Sequence, residues 1–337
     1  MVEPVEPPEV PLIRELLPKD FILATDPKTP PEGLAGAVVA IGNFDGVHRG
    51  HAAVIKRAEA LAERLGRRAA VLTFEPHPSD IFFGPDTIFR LTPRDAKAVA
   101  LSRIGVGGMI VLTFDRALAG LSAEDFVREI LVKRLAVGAV VAGYDFHFGK
   151  GRLGTPAFLR EAGTRYGFAV EIVEQIAADE SGSIEPASST ATRAALEAGN
   201  VARAAQLLGH PYSVLGVVIH GDKRGRKLGF PTANMRLDAS SRLRFGIYAV
   251  EVRVSGKTYG GVASFGRRPT FDNGAALLEV YIFDFAGDLY GKLVEVAFLE
   301  FIRGEEKFES VEALTARIAR DEEIAREILK HRGVSPG

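Results

Sequence analysis

Short apolar strands alternate with amphipathic helices from about Gly36 to about Leu208, and no other feature restricts the fold of this chain as strongly. Five segments are apolar almost throughout: GAVVAIG (36–42), AAVLTFE (69–75), GMIVLTF (108–114), GAVVAGY (138–144) and FAVEIVE (168–174). The segments between them carry apolar residues at i, i+3 and i+4, the spacing of a helix that buries one face. Strands that are apolar on both faces and separated by helices predict a covered parallel sheet in an α/β domain.

After Gly209-His210-Pro211 the pattern changes to strands without helices between them. Segments such as YSVLGVVIHG (212–221) are rich in Val, Tyr and Phe, are joined by Gly, Asp and Asn turns, and in several cases alternate with period two. This is typical of half-buried antiparallel strands, and five or six of them predict a small closed barrel. The last segment, 310–333, predicts a terminal helix that Ser310 caps and Gly333 ends.

The predicted organisation is a proline-rich extension (1–35), an α/β domain (36–209) and a barrel domain with its helix (210–337). The N-terminal segment lacks the basic and apolar regions of a signal peptide, no stretch approaches the roughly 20 apolar residues of a membrane span, and cysteine is absent. The net charge of −1 gives no argument for a nucleic-acid or membrane partner. We expect a cytoplasmic protein, and the sequence leaves its oligomeric state open.

The segment GNFDGVHRGH (42–51) joins the first predicted strand to the first helix. A helix start offers unpaired N–H groups and the positive end of the helix dipole, so it binds anions readily. His48 and His51 add imidazole donors, and glycines such as Gly42 and Gly50 allow the backbone to approach a ligand closely. We interpret the segment as a nucleotide phosphate site rather than a glycine-rich turn with two surface histidines.

SSTATR (188–193) is a second candidate phosphate site, at the start of a helical run. Ser188 or Ser189 can cap the helix, while hydroxyls, N–H groups and Arg193 can converge on phosphate oxygens. Such clusters are usually only caps. A histidine turn in the same domain favours the phosphate interpretation, because a triphosphate needs donors on both sides.

Two segments in the barrel region carry polar side chains that have either a structural or a functional interpretation. In GRKLGFPTAN (225–234), Thr232 and Asn234 can point to one side of a strand, where their oxygens suit an Mg²⁺–phosphate group; a plain β-turn is the alternative. Glu279 stands in the apolar segment LLEVYIF (277–283). It is either an outward-facing strand residue or a positioned general base for a hydroxyl.

Two glycine-containing strings are weak signals. GKGRLG (149–154) matches G-x-G-x-x-G, but a polar-aromatic stretch separates it from its strand, so we interpret it as a flexible basic loop near a ligand. SGKT (255–258) lies between two antiparallel strand patterns and is interpreted as a hairpin turn. The other five histidines have no metal-ligand spacing and are interpreted as structural or surface residues. Of these five, His147 is the one expected near a ligand.

Taken in order, these strings resemble the bifunctional bacterial riboflavin kinase/FAD synthetase family. The adenylyltransferase module is matched by GNFDGVHRGH, FEPHP (74–78), GYDFHFGKGRLG and SSTATR, and the kinase module by GRKLGFPTAN, GIYAVEV, GVASFGRRPTF, LEVYIFDF, DLYG and FIRGEEKF (301–308). The resemblance runs from about Gly36 to the end of the chain. It implies a Rossmann-like nucleotidylyltransferase domain followed by a riboflavin kinase barrel.

The resemblance also implies a two-step synthesis of flavin cofactors. The barrel would transfer the γ-phosphoryl group of ATP to the ribityl 5′-hydroxyl of riboflavin, giving FMN. The α/β domain would transfer AMP from a second ATP to FMN, giving FAD and pyrophosphate. The implied partners are riboflavin, FMN and ATP, with Mg²⁺ as the metal cofactor and with neither nucleic acid nor membrane involved.

The family's motifs assign roles to residues at matching positions. In the α/β domain the catalytic donors would be His48, His51, Ser189, Thr190 and Arg193. The ligand-binding residues there would be Gly42, Asn43, Phe44, Gly50 and Asp145. In the barrel, Glu279 would be the catalytic base, Thr232 and Asn234 would hold Mg²⁺ and phosphates, and Gly229 and Arg303 would line the ligand site, with the segment from Arg303 to Phe308 bordering the flavin.

Two other functions share parts of this pattern. A nucleotidylyltransferase with a different acceptor would share the histidine turn, but the intact PTAN, Glu279 and FIRGEEKF strings argue against it. A flavin-binding regulator without catalysis should lack His51 or Glu279, and this chain has both.

Overall fold

The computed structural model describes residues 13–175, 187–221, 225, 228–267 and 276–333. The chain forms two compact units, a first unit of Arg14–Ser189 and a second unit that contains Thr190–Gly337. The first unit holds a parallel sheet with helices, and the second holds an antiparallel sheet that curls toward a barrel and ends in a helix. The predicted fold class is confirmed.

The strands of the first unit all run parallel. They are β1 (Ile22–Thr25), β2 (Val38–Ile41), β3 (Ala69–Glu75), β4 (Gly108–Thr113), β5 (Ala139–Gly143) and β6 (Ala169–Val173). Their order across the sheet is β1-β4-β3-β2-β5-β6. The chain moves from β2 to β3 and β4 on one side, and β5 then pairs with the other side of β2. The direction of winding therefore reverses between β2 and β5, and ligands of such sheets bind at the carboxyl ends beside this reversal.

Helices connect these strands. They are α1 (Arg49–Leu65), α2 (Pro78–Phe83), α3 (Arg94–Ile104), α4 (Arg116–Gly120), α5 (Ala123–Asp125) with a π-helical continuation (Phe126–Arg134), and α6 (Pro156–Tyr166). In α1 the buried residues Ile55, Ala58 and Ala62 follow the predicted helical spacing. Gly66 ends this helix in the left-handed conformation, with φ 62°, that glycine adopts at low cost.

Strand β1 was not predicted. It lies within the region expected to be a proline-rich extension, and it pairs with β4 at the edge of the sheet. Its residues are half-buried or exposed, whereas all four residues of β2 are buried. An edge strand needs neither a continuous apolar run nor strict alternation, so ILAT carries only a weak sequence signal.

The second unit contains most of helix α7 (Ser189–Glu197), all of α8 (Val201–Leu208) and a sheet in which all paired strands are antiparallel. Its strands are β7 (Tyr212–Val217), β8 (Thr232–Met235), β9 (Gly246–Val254), β10 (Lys257–Arg267), β11 (Ala276–Ile282) and β12 (Leu293–Arg303), in the order β7-β12-β9-β10-β11-β8. Just beyond β7, the N–H of Ile219 donates to Asn234 O at 2.8 Å. This bridge links the two edges and curls the sheet toward a closed barrel.

The terminal helix α9 (Val311–His331) covers one face of this sheet. Ser310 caps it, as predicted, by accepting the N–H of Ala313 at 3.1 Å. Ala325 and Leu329 of α9 pack with Ala249 and Val262 of the sheet in one buried cluster. The face of the sheet that α9 covers is therefore partly buried in a hydrophobic core.

Helix α8 packs on β7 and β12 and so belongs to the second unit. The boundary between the two compact units lies between residues 189 and 190. The functional boundary expected near residue 209 stays a prediction. The predicted SGKT turn is confirmed, since Ser255 and Gly256, both with positive φ, join β9 to β10. Within the described ranges, no helix combines the length and hydropathy needed to cross a bilayer.

Candidate active sites

The carboxyl ends of β2 and β5 carry the two predicted polar segments of the first unit. GNFDGVHRGH follows β2 directly, and GYDFHF begins at the last residue of β5. Because β2 and β5 are parallel neighbours, both segments leave the same edge of the sheet, beside the reversal of winding. The fold thus places Asn43 and Asp145 in the region where a ligand of such a sheet binds.

The histidine turn, residues 42–51, is held in an unusual backbone conformation. Phe44 has φ 49° and Val47 has φ 45°, values that cost energy for residues with a side chain, and Gly46 has φ 84°. A Cβ on Gly50 would lie 3.1 Å from His48 Cε1, so glycine lets the helix start pass close to this imidazole. Such strain is typical of backbone shaped around a ligand.

His48 and His51 form one stacked unit at the start of α1. His48 is the N-cap, and its Nδ1 accepts the N–H of His51 at 3.3 Å. The two rings stack with centroids 3.5 Å apart, and Phe44 contacts His51 edge-on at 5.2 Å. A His48 ring that accepts at Nδ1 carries its proton on Nε2 when neutral, so the cap selects the tautomer whose Nε2–H is a donor.

Buried polar residues that the sequence did not reveal support this turn from within the first unit. The carboxylate of Asp45 accepts the N–H groups of Leu91 and Thr92, at 3.2 and 2.9 Å. The hydroxyl of Thr92 in turn accepts the N–H of Gly46 at 2.8 Å. Asp45 is itself 4% exposed, so its position within the motif serves the turn's own structure as well as any ligand.

The serine cluster meets the histidine turn at Ser189. Its hydroxyl donates to the backbone carbonyl of Asp45 at 2.8 Å, so the two motifs are in contact at this residue, and their joint binding of a phosphate stays a prediction. Thr190 is exposed and Arg193 half-buried on the same helix, within the second unit. The segment before the cluster, 176–186, lies outside the described residues.

The remaining predicted residues of the first unit follow β5. Asp145 is exposed, and its backbone carbonyl lies 2.8 Å from His147 Nδ1. The GKGRLG loop is closed by two hydrogen bonds between Phe148 and Gly154, and its Lys150 and Arg152 are exposed. This closed loop begins six residues beyond β5 and lacks the tight strand-to-helix turn of a dinucleotide fingerprint.

In the second unit, the register of the sheet brings the predicted kinase residues together. Asn234 of β8 lies directly opposite Glu279 of β11, and Thr232 lies opposite Tyr281. Directly opposite residues share a face of the sheet, with Cβ atoms about 4.5–5.5 Å apart. On the other side of β11, Ser264 of β10 is opposite Glu279. Glu279 is half-buried between two polar neighbours, of which Ser264 was not predicted.

Close backbone approach shapes the space beside Thr232 and Asn234. A Cβ on Gly225 would lie 2.3 Å from Phe230 O and 3.5 Å from Thr232 Oγ1, and a Cβ on Gly221 would lie 2.6 Å from Asn234 Nδ2. Any larger residue would fill this cradle. Gly229, with φ 89°, is an exposed turn residue, and Arg226 and Lys227 lie outside the described residues.

An edge-to-face contact joins this turn to the sheet. The rings of Phe230 and Tyr281 meet at 89° with centroids 5.5 Å apart. Burial raises the pKa of the Tyr281 hydroxyl, and Glu322 and Asp284 raise it further against the opposing charge of Arg326. Tyr281 is therefore a neutral phenol at physiological pH.

Arg303 has a structural partner. Its guanidinium donates to both carboxylate oxygens of Asp321 on α9, with distances of 2.6 to 3.0 Å, and side-chain exposure is 10% for Arg303 and 4% for Asp321. Arg303 also donates to Gly304 O at 2.9 Å and lies over the ring of Phe308. These contacts fix the start of the FIRGEEKF segment, and binding of a flavin by Arg303 stays a prediction.

Comparison with known families matches both halves of the chain. A model described as FAD synthetase matches residues 31–190, and one described as riboflavin kinase matches residues 208–329. The bifunctional riboflavin kinase/FMN adenylyltransferase of Escherichia coli K12 is 42% identical over 293 residues, which cover 87% of this chain and 92% of that protein. The protein of the same name in Bacillus subtilis is 38% identical over 305 residues, 87% of this chain and 93% of that protein.

The chain belongs to the bifunctional riboflavin kinase/FMN adenylyltransferase family. This confirms the resemblance inferred from the motifs. The FAD synthetase match contains the histidine turn and Ser189, and the riboflavin kinase match contains Thr232, Asn234 and Glu279.

A crystal structure of a Streptococcus pneumoniae protein described as a macrolide-efflux protein has a related fold. It is 34% identical to this family member, with a TM-score of 0.77 over 91% of this chain and 99% of that one. The shared architecture therefore extends over both units of the family member.

Proposed function

We propose that this chain makes FMN from riboflavin and ATP, and FAD from FMN and a second ATP. Its membership of the bifunctional family supports both activities, and each unit has its own group of polar side chains. The observation that carries the proposal is the register that sets Asn234 opposite Glu279 in a chain that also stacks His48 on His51 at a helix start. A single-activity enzyme would need only one of these arrangements.

In adenylyl transfer, the phosphate of FMN attacks the α-phosphorus of ATP, a new P–O bond forms, and pyrophosphate leaves. The chain then supplies no nucleophile, and its contribution is positioning and charge stabilisation. Within the first unit we assign the donors to His48 Nε2, His51, the N–H groups at the start of α1, and Ser189. Thr190 and Arg193 of the same serine cluster are assigned as donors from the family's motif alone. Gly42, Gly50, Asn43, Phe44 and Asp145 would shape the nucleotide and flavin sites.

In riboflavin phosphorylation, Glu279 takes the proton of the ribityl hydroxyl as that oxygen attacks the γ-phosphorus of ATP, and ADP leaves. Asn234 donates its Nδ2–H to Thr232 O at 3.3 Å, which orients the amide. Thr232 and Asn234 offer the hard oxygen donors that Mg²⁺ prefers, beside the glycine cradle, and the site therefore fits this ion. When bound, Mg²⁺ would neutralise charge on the transferred phosphoryl group.

Chromatography of the flavins tests this proposal. The full-length chain is incubated with riboflavin, ATP and Mg²⁺, and separately with FMN, ATP and Mg²⁺, and the flavins are quantified over time. FMN and then FAD should accumulate from riboflavin. If FMN never forms from riboflavin, the kinase assignment fails, and if supplied FMN is never converted to FAD, the adenylyltransferase assignment fails.

Two variants assign the activities to the units. His51→Ala should lower FAD formation by about 10²–10³, since a charge-stabilising donor is lost, and leave FMN formation intact. Glu279→Gln should lower FMN formation by roughly 10²–10⁴ and leave conversion of supplied FMN to FAD intact. Each variant should keep the activity that the other loses, and the activity that it keeps serves as the control for folding. Loss of both activities in either variant would contradict the assignment of one reaction to each unit.

The small molecules riboflavin, FMN and ATP are the partners of this proposal. A cytoplasmic location and the absence of nucleic-acid and membrane partners are parts of this proposal as well, and they rest on the composition and the net charge of −1.

A further inference from the structure

A buried lysine lies beneath the histidine turn and takes no part in the chemistry proposed above. Lys97 is in the first half of α3, and its side chain is 4% exposed. Its Nζ lies 2.7 Å from Glu75 Oε1 and 3.4 Å from Thr73 Oγ1. Removing an ammonium group from water is costly, so the position of this lysine needs an explanation beyond packing.

The chemistry of the groups fixes the direction of the hydrogen bonds. An ammonium group has only donors, so Thr73 Oγ1 must accept from Lys97. Thr73 is fully buried, and its own hydrogen goes to the backbone carbonyl of Asn43, at 3.0 Å. A directed chain therefore runs from Lys97 through Thr73 to Asn43, and hydrogen bonds in such a chain strengthen one another.

Asn43 is where the histidine turn leaves the sheet. The next residue is Phe44, with its positive φ and its edge contact to His51. The turn has a second anchor at Gly46, whose N–H donates to Thr92 just before α3. Both anchors lead back to residues 92–97, so the strained conformation of the turn depends on the start of α3.

We propose that Lys97 is a positioning residue for adenylyl transfer, which acts through Thr73 to fix the carbonyl of Asn43 and thereby the histidine turn. This inference rests on the proposed FMN adenylyltransferase function. A lysine that served only an ion pair would need Glu75 and not Thr73. The contribution of the Thr73 hydroxyl therefore distinguishes positioning from a purely structural role.

The test compares three variants of the full-length chain. Thr73→Val removes the hydroxyl at nearly constant volume and keeps the Lys97–Glu75 pair, whereas Thr73→Ser restores the hydroxyl. Val71→Ala, at another fully buried position of β3, controls for destabilisation of the same strand. For each protein, kcat and KM for ATP are measured with FMN as substrate. Riboflavin phosphorylation by the second unit reports the amount of active protein in each preparation, and thermal unfolding gives Tm.

Thr73→Val should lose about 10- to 100-fold in kcat/KM for adenylyl transfer, the scale of a small misplacement of reacting groups. Thr73→Ser should stay within about threefold of the wild type, and Val71→Ala should lower Tm without this loss. Riboflavin phosphorylation should be unchanged in all three. The proposal is wrong if Thr73→Val keeps wild-type kcat/KM, or if Thr73→Ser is as impaired as Thr73→Val. A wild type that forms no FAD would instead refute the proposed function.

Lys97→Met completes a double-mutant cycle with Thr73→Val. If both residues act through one chain, the double variant should lose no more kcat/KM than Lys97→Met alone. Losses that multiply would mean that Lys97 and Thr73 act independently, and would overturn the proposal.

Discussion

Replacing Asp321 by alanine should destabilise the second unit by about 3–5 kcal/mol, because the change removes the buried carboxylate partner of Arg303 and, among the described acidic residues, leaves it only the exposed Glu306, at 3.8 Å. Arg303 and Asp321 are almost fully buried and share three close N–O contacts between β12 and α9. Arg317 approaches the same carboxylate at 3.5 Å. A unit of roughly 150 residues loses about 3 °C in Tm per kcal/mol, so its Tm should fall by about 10–15 °C.

Scanning calorimetry of the full-length chain measures this change. The transition of the second unit should move to lower temperature, and riboflavin phosphorylation should be lost at the same lower temperature. The matched control is the double variant Arg303→Met/Asp321→Leu, which removes both charges and should recover much of the lost stability. A loss below about 1 kcal/mol for Asp321→Ala, or a double variant as unstable as the single one, would refute the reasoning.

Three further predictions concern other parts of the fold. Asp26 accepts hydrogen bonds from Thr113. Burial alone would raise the pKa of the Asp26 carboxyl, but these bonds and the charge of Arg134 hold that pKa below its usual 3.8. The ionised Asp26 therefore stabilises the fold above about pH 4, and this stabilisation is lost as the pH falls through the lowered pKa. The Tm difference between wild type and Asp26→Asn, which keeps a residue tolerant of the positive φ, should therefore shrink on acidification, and a pH-independent difference would contradict this. Gly50→Ala should lower FAD formation without affecting FMN formation, because the new methyl would press on His48, and unchanged FAD formation would show that the ring has room to move. A fragment beginning at residue 190 should unfold at higher temperature than one beginning at 210, because only the first keeps α8 on β7 and β12; equal Tm values would contradict that packing.

Several features of this protein follow from local sequence alone. Continuous apolar runs separated by helical spacing require a covered parallel sheet, and five of the six strands were predicted in this way. The cap at Ser310 and the hairpin at Ser255 and Gly256 depend on the chemistry of a few neighbouring residues, so they were predictable too. The place of the histidine turn is encoded in the same local way, since strand, glycines and helix start are contiguous in the chain, whereas its conformation depends on contacts with Thr73 and Thr92.

Only the tertiary structure decided which distant residues meet. The register of β8 and β11 sets Asn234 opposite Glu279, and no local pattern specifies a pairing between segments 45 residues apart. Arg303 pairs with Asp321, and Lys97 reaches Asn43 through Thr73, because α9 and α3 dock on their sheets at particular places. The physical reason is that burial and periodicity fix which face of an element is apolar, whereas the partner of a single buried charge depends on how whole elements pack.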